Sequence, residues 1–544
     1  MACFDARVNL SHRRWLGLGV VALGVAVIVV DITVVNVAMP VLMADLGLDF
    51  GDAEWVNAIY AAVFATFLIT LGRVGDLMGR RRIFTSGLVV FAMASLLAAR
   101  ADSMTGLIGA RALQGLGAAM ILPATLAIVN EGFRGRERAI AFGLWGSMIA
   151  GMAAVGPLLG GWLATSFTWR WVFLINVPVA LALAIGATRL VHESRSSAVD
   201  GFDGPGFALA SVGLFSLVLG IIEGPRYGWL VATGEFQIGA WGWPFGLSIV
   251  PVALGVGVMA LVRFVRLERS RLAAGSAVLF DLRLFRIVSF RHGNVLAAMV
   301  GLGEFGLIFV VPLYLQTAVD ISAMGTGTLL LAMAAGGFVA GPLAGHFAQR
   351  LGPRQVVSIG MGLESLAALG VAIVLSPDGV EPGLIAALFA YGVGVGLAGS
   401  QLASVILSEI PPDVSGQASG MQSTFRQVGA ALGIAVLGTI FVTTMGEIAA
   451  DRLDAIQGLV DPQRARIVER LTESAGWYVH ALRAWTPDFG VVVQAAERSI
   501  TDAARYAAVA VAAVFAAGTV LSRRLPDILR QGEPDRTIAA PRGR

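Results

Sequence analysis

Long apolar segments alternate with shorter polar connections along the whole chain. These segments reach the roughly 20 residues that a helix needs to cross the hydrocarbon core of a bilayer. Allowing a few residues of error at each end, the pattern predicts about fourteen membrane spans. They lie near residues 16–38, 56–74, 83–100, 107–129, 139–163, 171–191, 207–223, 244–262, 293–316, 326–348, 356–375, 383–406, 423–443 and 503–521. An even number of spans predicts that both chain ends lie on the same side of the membrane.

The composition agrees with this pattern. Of the 544 residues, 56% are hydrophobic and only 14% are charged, and the mean hydropathy is +0.78. An ordinary soluble domain contains about 25% charged residues. The single cysteine, Cys3, cannot form an internal disulfide. The sequence therefore predicts an all-α integral membrane protein.

Arginine clusters occupy alternate connections between the predicted spans. They fall at residues 80–82, 134–138, 263–291 and 523–524, whereas the intervening connections carry acidic residues at 45–54 and 378–381. Arginine-rich connections remain on the cytoplasmic side of a membrane. The pattern predicts a multi-pass membrane protein with both termini in the cytoplasm.

Asp31 and Arg111 are charged residues that lie well inside predicted spans in the first half of the chain. Asp31 is the only charged residue between Trp15 and Ala44, and an aspartate at the centre of a membrane helix costs about 2.5 to 3.5 kcal/mol. Such a residue usually faces the protein interior or a watery cavity, so Asp31 is a candidate proton carrier. The alternative is a carboxylate that a fixed arginine or a neighbouring helix neutralises permanently.

Arg111 cannot lose its proton, so it must be paired, hydrogen-bonded or hydrated. Asp31 is its first expected partner, and Gln114 lies on the same helix face as Arg111. The alternative is a structural arginine that binds helix carbonyls.

Two further carboxylates, Glu304 and Glu364, fall within later spans. Each could bind a second proton or set the preference for the charge of a substrate. A hydrogen-bonded interior residue is an equal alternative for Glu304, and it is the favoured one for Glu364. An acidic cavity would favour lipophilic cations, and aromatic side chains could supply ring faces that bind them. The alternative for each aromatic residue is packing, which is the more common role in a helix. The candidate cavity residues are Tyr60, Gln114, Trp145, Phe305, Tyr314, Gln316 and Tyr391.

The sequence also contains an internal repeat. Residues 72–82 follow the second span, and a similar segment, residues 345–354, follows the tenth. Such repeats predict two six-helix halves around a central cavity, with the spans at 207–223 and 244–262 as an inserted pair. The predicted organisation is an N-terminal half at 1–195, an inserted pair with an arginine-rich linker at 196–290, a C-terminal half at 291–525 and a cytoplasmic tail at 526–544.

Residues 446–502 form a long polar segment on the predicted outer side. Their pattern predicts one or two short amphipathic helices. A solvated connector is the favoured interpretation, and a gating lid or a partner contact is the alternative.

Several motifs resemble those of the major facilitator superfamily. Residues 72–82 resemble its signature loop, residues 107–119 its fourth-helix motif, and residues 30–40 the first-helix motif of its drug:proton antiporter branch, the EmrB/QacA type. Further similar segments lie at 169–178, 312–316 and 416–420. The order of these motifs implies the major facilitator fold, with two pseudo-symmetric six-helix halves and two inserted central helices.

The resemblance also implies roles for individual residues. Arg111 would tune a nearby proton-carrying carboxylate. A conformational latch would hold the two halves together on the cytoplasmic side, and its residues are Gly72, Asp76, Gly79, Arg80 and Arg81. For Arg82 the favoured interpretation is an ordinary positive-inside anchor. Gln349 replaces the acid of the second loop, which suggests that only the first loop keeps a charged latch.

The fifth span resembles the motif associated with antiport. The residues concerned are Gly143, Gly156, Pro157, Gly160 and Gly161. The pattern departs from the family at Met152, where a glycine is usual. Small residues allow close helix contact and proline introduces a bend.

Together, the resemblance and the buried charges predict a proton-coupled multidrug efflux transporter of the bacterial cell (inner) membrane, which exports small amphipathic, cationic compounds by alternating access. We expect a monomer that binds substrates, protons and lipid, without a cofactor, a metal or nucleic acid. A dedicated exporter of a lipid, a siderophore or an endogenous antibiotic is the first alternative. An integral membrane enzyme or sensor is a remote alternative, because the five histidines lack metal-ligand spacing and no nucleophile-turn or phosphate-loop motif occurs.

Overall fold

The structure is a computed structural model that describes residues 2–48, 50–195, 201–232, 236–238, 241–456, 459–484 and 490–526. Within these ranges the chain is almost entirely helical. Thirteen described helical segments are long and apolar enough to cross a membrane, and one of them, Arg170–Leu190, consists of two consecutive helices. A further helix of 32 residues, Gly135–Ser166, occupies the position of the predicted fifth span. These helices confirm the predicted all-α fold of about fourteen spans.

The N-terminal half contains seven helices within the described ranges. They are α1 (Ala2–Leu46), α2 (Phe50–Met78), α3 (Arg80–Ala99), α4 (Met104–Gly132), α5 (Gly135–Ser166), α6 (Arg170–Leu174) and α7 (Asn176–Leu190). The predicted sixth span is divided at Ile175 into α6 and α7. Beside this break, hydrogen bonds from Trp169 and Arg170 lower the pKa of Asp45 and attach the end of α1 to α6.

The remaining helices follow in chain order. The inserted pair consists of α8 (Gly204–Tyr227) and α9 (Ile249–Ala273), with the short strands β1 (Gln237–Ile238) and β2 (Trp241–Gly242) between them. The C-terminal half contains α10 (Val288–Thr317), α11 (Ala323–Leu351), α12 (Pro353–Val374), α13 (Pro382–Ile406), α14 (Ser415–Asp454), α15 (Asp461–Glu473), α16 (Tyr478–Ala484) and α17 (Gly490–Ser522).

The two halves repeat the same register over their second and third helices. Both ends of α2 lie 273 positions before the corresponding ends of α11, and the starts of α3 and α12 have the same separation. Gly72 and Gly345, in the repeated loop motif, are also 273 positions apart. The internal repeat in the sequence is therefore a repeat of helix boundaries as well.

The segment between α14 and α17 is a folded cap on the C-terminal half. The two predicted amphipathic helices are present as α15 and α16, and the flanking helices extend further than hydropathy predicts. The apolar side chains of Ile467, Leu471, Val479 and Leu482 are buried. The Arg483 guanidinium pairs with Asp320 at 2.9 Å and with Glu497 at 2.7 Å. The favoured prediction of a solvated connector is wrong, because these buried and paired side chains attach the segment to α10 and α17.

Helix α8 packs where the two halves meet. Its residues Val218 and Ile221 form a buried cluster with Ala62 on α2 and with Ala431 and Ala435 on α14. Small side chains on α2 and α14 provide the room for this contact. One helix of the inserted pair therefore contacts both halves.

Candidate functional site

Asp31 lies at the centre of a fully buried polar cluster in the N-terminal half. The Asp31 side chain is 0% exposed and that of Arg111 is 1% exposed. One Arg111 nitrogen donates to Asp31 Oδ2 at 2.6 Å, while Gln114 Nε2 and Asn176 Nδ2 donate to Asp31 Oδ1 at 3.0 and 2.7 Å. Three donors from α4 and α7 thus surround one carboxylate on α1. The predicted pairing of Asp31 with Arg111 is confirmed.

A second layer of contacts holds the donors in place. Gln114 also accepts from Arg111 at 2.8 Å and donates to Ser95 Oγ at 2.8 Å. The Arg111 guanidinium lies 4.3 Å from the centre of the Tyr60 ring, a cation–π distance. Asn176 and Ser95 were not predicted as site residues. Asn176 stands at the start of α7 within the 169–178 motif, so its position in that motif was the available signal.

The C-terminal half contains a second charged cluster, built on different helices. The Glu304 carboxylate on α10 accepts from Arg426 on α14 at 2.7 Å through Oε2. Its other oxygen, Oε1, is buried and has no hydrogen-bond partner among the described residues. The Arg426 side chain is 19% exposed. The arginine partner of Glu304 was not predicted, although Arg426 is the only charged residue in the predicted span at 423–443.

Glu364 on α12 lies beside this pair and lacks donors. Its side chain is 0% exposed, and neither of its oxygens has a hydrogen-bond partner among the described residues. It interacts electrostatically with Glu304 and Arg426 and packs against Gly394 on α13. The favoured prediction of a hydrogen-bonded interior residue is therefore wrong for Glu364. The C-terminal cluster has two carboxyl groups for one guanidinium.

The repeat register relates the two clusters. Asp31 and Glu304 are 273 positions apart, the same separation as Gly72 and Gly345. The acids thus occupy corresponding positions in the two halves, but their arginines come from α4 in one half and from α14 in the other. Counting this separation in the sequence would have identified Glu304 as the counterpart of Asp31.

Asp76 connects the two halves at one end of the bundle, called here the Asp76 end. Its carboxylate oxygens accept from the backbone N–H groups of Gly416 and Gln417 at the start of α14, at 2.8 and 2.9 Å. A carboxylate at a helix N-terminus is favoured because the first N–H groups have no partner within the helix. A Cβ atom on Gly72 would lie 2.3 Å from the Gly416 carbonyl oxygen, so only glycine allows this close approach.

Arg80 strengthens this junction. It donates to Asp76 Oδ1 at 2.8 Å and also contacts Glu131 and the Pro412 carbonyl oxygen of the other half. Further contacts between the halves at this end run from Asn130 to Ser415 at 3.0 Å and from Arg138 to the Ser404 carbonyl oxygen at 2.7 Å. The Asp76 end is therefore closed by hydrogen bonds.

The other predicted latch residues remain within the N-terminal half. Arg81 lies 3.5 Å from Glu193, and Gly79 adopts a φ of 113°, which favours glycine. A Cβ atom at Gly79 would also meet the Glu193 carboxylate at 2.6 Å. The expectation that Arg81 joins the halves does not agree with these contacts. Arg82 is 67% exposed, as expected for an anchor.

The glycines of α5 contact two different neighbours. Cβ atoms on Gly156 and Gly160 would collide with Thr33 and Val34 of α1, whereas one on Gly143 would lie 2.6 Å from the Gly341 carbonyl oxygen of α11. Gly161 lies beside Met324 of α11, and the side chain of Pro157 lies outside the described residues. The α5 glycines therefore allow one helix to pack closely on both halves.

The predicted cavity residues do not form a single group. Tyr60 and Gln114 belong to the Asp31 cluster, and Tyr391 lies in the C-terminal half with its ring 5.9 Å from that of Phe515. Trp145 is buried and donates to Thr125, while Tyr314 is buried and donates to the Ser376 carbonyl oxygen at 2.6 Å. Gln316 binds the Pro312 carbonyl oxygen of its own helix, and Phe305 is half-buried. Trp145 and Tyr314 therefore serve packing, which was the alternative interpretation of the aromatic residues.

Comparison with protein families gives one clear match. The sequence profile of the Major Facilitator Superfamily matches residues 21–234 and 204–434. Among solved structures, the human organic anion transporter MFSD10 (TETRAN) has a TM-score of 0.58 at 12% sequence identity, and the match covers 94% of this chain and 99% of that one. At this identity the likeness concerns the fold alone.

Curated relatives extend over most of the chain. The tetracenomycin C resistance and export protein of Streptomyces glaucescens is 31% identical over 469 residues, which cover 86% of this chain and 83% of the relative. The puromycin resistance protein pur8 of Streptomyces alboniger is 34% identical and covers 82% and 86%. The multidrug efflux pump LfrA of Mycolicibacterium smegmatis is 30% identical and covers 85% and 87%.

Proposed function

The chain belongs to the major facilitator superfamily, and from this premise we propose that it is a drug:proton antiporter of the fourteen-span type. It exports small amphipathic, mainly cationic compounds across the bacterial inner membrane and takes up protons in exchange. The names of these relatives, which describe drug efflux and antibiotic resistance, support this proposal. They support transport rather than an enzymatic reaction.

The observation that carries the coupling mechanism is the buried Asp31–Arg111 pair. An ionised carboxylate in this site is balanced by one guanidinium and two amide donors. Protonation of Asp31 would remove the negative charge that holds Arg111, and it would leave Arg111 free to change partners. Because breaking a buried ion pair costs several kcal/mol, proton binding can bias the conformation of the N-terminal half.

The C-terminal cluster supports a second protonation site. If Glu304 and Glu364 were both ionised, Arg426 would leave one buried negative charge uncompensated, which is costly at low dielectric. We therefore propose that this cluster holds a proton in the present conformation, with Glu364 as its carrier, because Glu304 already binds Arg426.

The arginine-rich connections support a cytoplasmic location for the Asp76 end. With this end closed, the protein faces outward, and the contacts of Asp76 and Arg80 form a cytoplasmic latch that must open before a drug can enter from inside the cell. Both termini are then cytoplasmic. One chain supplies both halves, so we propose that a monomer is active.

Substrate-induced proton release from the purified protein tests this function. Tetraphenylphosphonium, a lipophilic cation, is added to protein in weakly buffered detergent solution, and the released protons are measured with a pH-sensitive dye. We expect wild-type protein and the exposed control Asp378→Asn to release protons, whereas Asp31→Asn releases fewer. In proteoliposomes, uptake of the cation driven by a proton gradient should fall about 100-fold for Asp31→Asn, which is about 2.8 kcal/mol of coupling. Normal coupled release and uptake by this variant would overturn the mechanism.

A dedicated exporter is the second candidate, and the tetracenomycin C export protein among the relatives favours it. A susceptibility panel in a host strain that lacks its own pumps separates the two functions. A multidrug transporter should raise resistance to unrelated dyes, quaternary amines and antibiotics. A dedicated exporter should raise resistance to one chemical class and leave the others unchanged.

A further inference from the structure

Buried charged residues outside the predicted site connect the inserted helix pair to the cytoplasmic latch. Glu268, near the end of α9, is 0% exposed, and Asp203, which caps the start of α8, is 1% exposed. Both carboxyl groups converge on Gly206, where a Cβ atom would lie 2.5 Å from an Asp203 oxygen and 2.7 Å from a Glu268 oxygen. Arg271 balances Asp203 at 2.7 Å.

Glu268 fixes the chain that follows α9. Its two oxygens accept from the backbone N–H groups of Leu279 and Phe280 at 3.3 and 3.4 Å. These residues belong to the insert linker, residues 278–286, which leads into α10. The Phe280 ring packs against those of Phe285 and Phe290. The insert linker is therefore held at its start by an acid of the inserted pair and by an aromatic cluster.

The insert linker is in turn bonded to the C-terminal half at the latch. The backbone N–H of Asp281 donates to Gln417 Oε1 at 3.0 Å, and Gln417 N–H donates to Asp76 Oδ2 at 2.9 Å. A continuous series of contacts thus runs from Glu268 on α9 through the insert linker and Gln417 to Asp76 on α2.

A second connection reaches the N-terminal half directly. Arg73 on α2 is 1% exposed and interacts electrostatically with both Asp76 and Glu268. Its Nε and Nη1 atoms have no hydrogen-bond partner among the described residues. A buried guanidinium requires nearby negative charge. Asp76 in the latch and Glu268 in the inserted pair are the acids that can supply it. Arg73 therefore adds an electrostatic attraction between α2 and α9, beside the packing of α8 against α2.

We propose that the inserted helix pair and the insert linker form a second cytoplasmic latch, which holds α2 of one half and α14 of the other together in the outward-facing state. The inserted pair is then part of the gating machinery rather than a peripheral addition to twelve core helices. Transition to the inward-facing state requires the bonds of Glu268 and Gln417 to the insert linker to break. This proposal rests on the alternating access of the proposed function.

Cysteine labelling in the full-length protein tests the proposal without transport. In a Cys3→Ser background, Ser415→Cys places a thiol at a fully buried position that contacts Asn130 of the other half. N-ethylmaleimide can reach this thiol only when the Asp76 end opens. Labelling is followed by intact-protein mass spectrometry in detergent, without substrate.

Two variants weaken the second latch at different points. Gln417→Ala removes the side chain that accepts from Asp281 and keeps the backbone N–H that binds Asp76. Glu268→Gln replaces one of the two oxygens that accept from Leu279 and Phe280 with an NH2 group. We expect each to label on the order of tenfold faster than the background, within the range of typical coupling free energies. The exposed control Glu409→Gln should label at the background rate.

Monodisperse size-exclusion profiles establish that the variants are folded. Background labelling rates in folded Gln417→Ala and Glu268→Gln would overturn the proposal, and if Glu268→Gln does not fold, the rate of Gln417→Ala decides. The readout measures opening alone, so a failure here leaves the result of the proton-release experiment unaffected. If proton release were absent, a faster labelling rate would still show that the Asp76 end opens more readily.

Discussion

The two halves place an acid at corresponding positions but balance its charge differently. Asp31 accepts hydrogen bonds from three side chains, and one of these donors is Arg111. The Asp31–Arg111 pair is therefore neutral when both side chains are ionised. Glu304 receives one arginine and leaves an oxygen unpartnered among the described residues, while Glu364 beside it receives no donor there. The repeat therefore conserves where an acid stands, whereas the surrounding residues decide how costly its charge is.

The cost of changing a buried carboxylate therefore depends on how many donors surround it. A saturated site such as that of Asp31 is costly to disturb, because any change leaves a buried partner without its counter-charge. An undersaturated site such as that of Glu364 is inexpensive to neutralise, because its charge has no specific contact to lose. We expect disturbance of the N-terminal site to cost the most stability, and we expect neutralisation of Glu364 to affect proton binding with little effect on stability.

The largest expected effect comes from removal of the N-terminal cation. Arg111→Gln leaves the Asp31 carboxylate without its charge partner, and we expect the free energy of unfolding to fall by about 3 to 5 kcal/mol. Arg426→Gln should cost less, because its side chain is 19% exposed and that of Arg111 is 1% exposed. Unfolding in mixed detergent micelles measures both. The exposed control Arg82→Gln should change by less than about 0.5 kcal/mol, and an equally small change for Arg111→Gln would refute the comparison.

A smaller effect is expected from the acid of the C-terminal pair. Glu304→Gln removes a charged hydrogen bond from Arg426, but Glu364 stays within electrostatic reach of the guanidinium. We expect a loss of about 1 to 3 kcal/mol in the free energy of unfolding. The double variant Glu304→Gln with Glu364→Gln removes this substitute and should lose more than the sum of the single variants. Strict additivity would show that Glu364 does not compensate for Glu304.

The sequence predicted the helices because apolar segments of spanning length are visible in the hydropathy pattern. It predicted the Asp31–Arg111 pair because a charge inside a membrane span is costly without a partner. It did not predict the charge balance around Glu304 and Glu364, since Arg426 approaches from a helix more than 100 positions away in the chain. The folded cap at α15 and α16 was missed for a similar reason. Its amphipathic pattern predicts helices, whereas the Arg483 contacts that attach it to α10 and α17 depend on tertiary packing.

Prediction of the latch shows the same limit. Asp76 and Arg80 were predicted to join the halves, and their contacts with α14 and Pro412 agree with this. Arg81 belongs to the same motif, yet it points to Glu193 in its own half. Adjacent residues on a helix face different directions, so a motif identifies a junction more reliably than it identifies each contact.

The smallest effect on stability is expected for Glu364→Gln, which sharpens the comparison most. The amide has nearly the shape of the acid and carries no charge, so the variant resembles the protonated form that we propose for the present conformation. We expect the free energy of unfolding to change by less than about 1 kcal/mol, because no specific hydrogen bond is lost. Proton release on addition of tetraphenylphosphonium should nevertheless decrease, while the exposed control Glu409→Gln keeps both values. A large loss of stability together with wild-type proton release would mean that Glu364 is ionised and structurally paired, and the contrast between the two halves would then disappear.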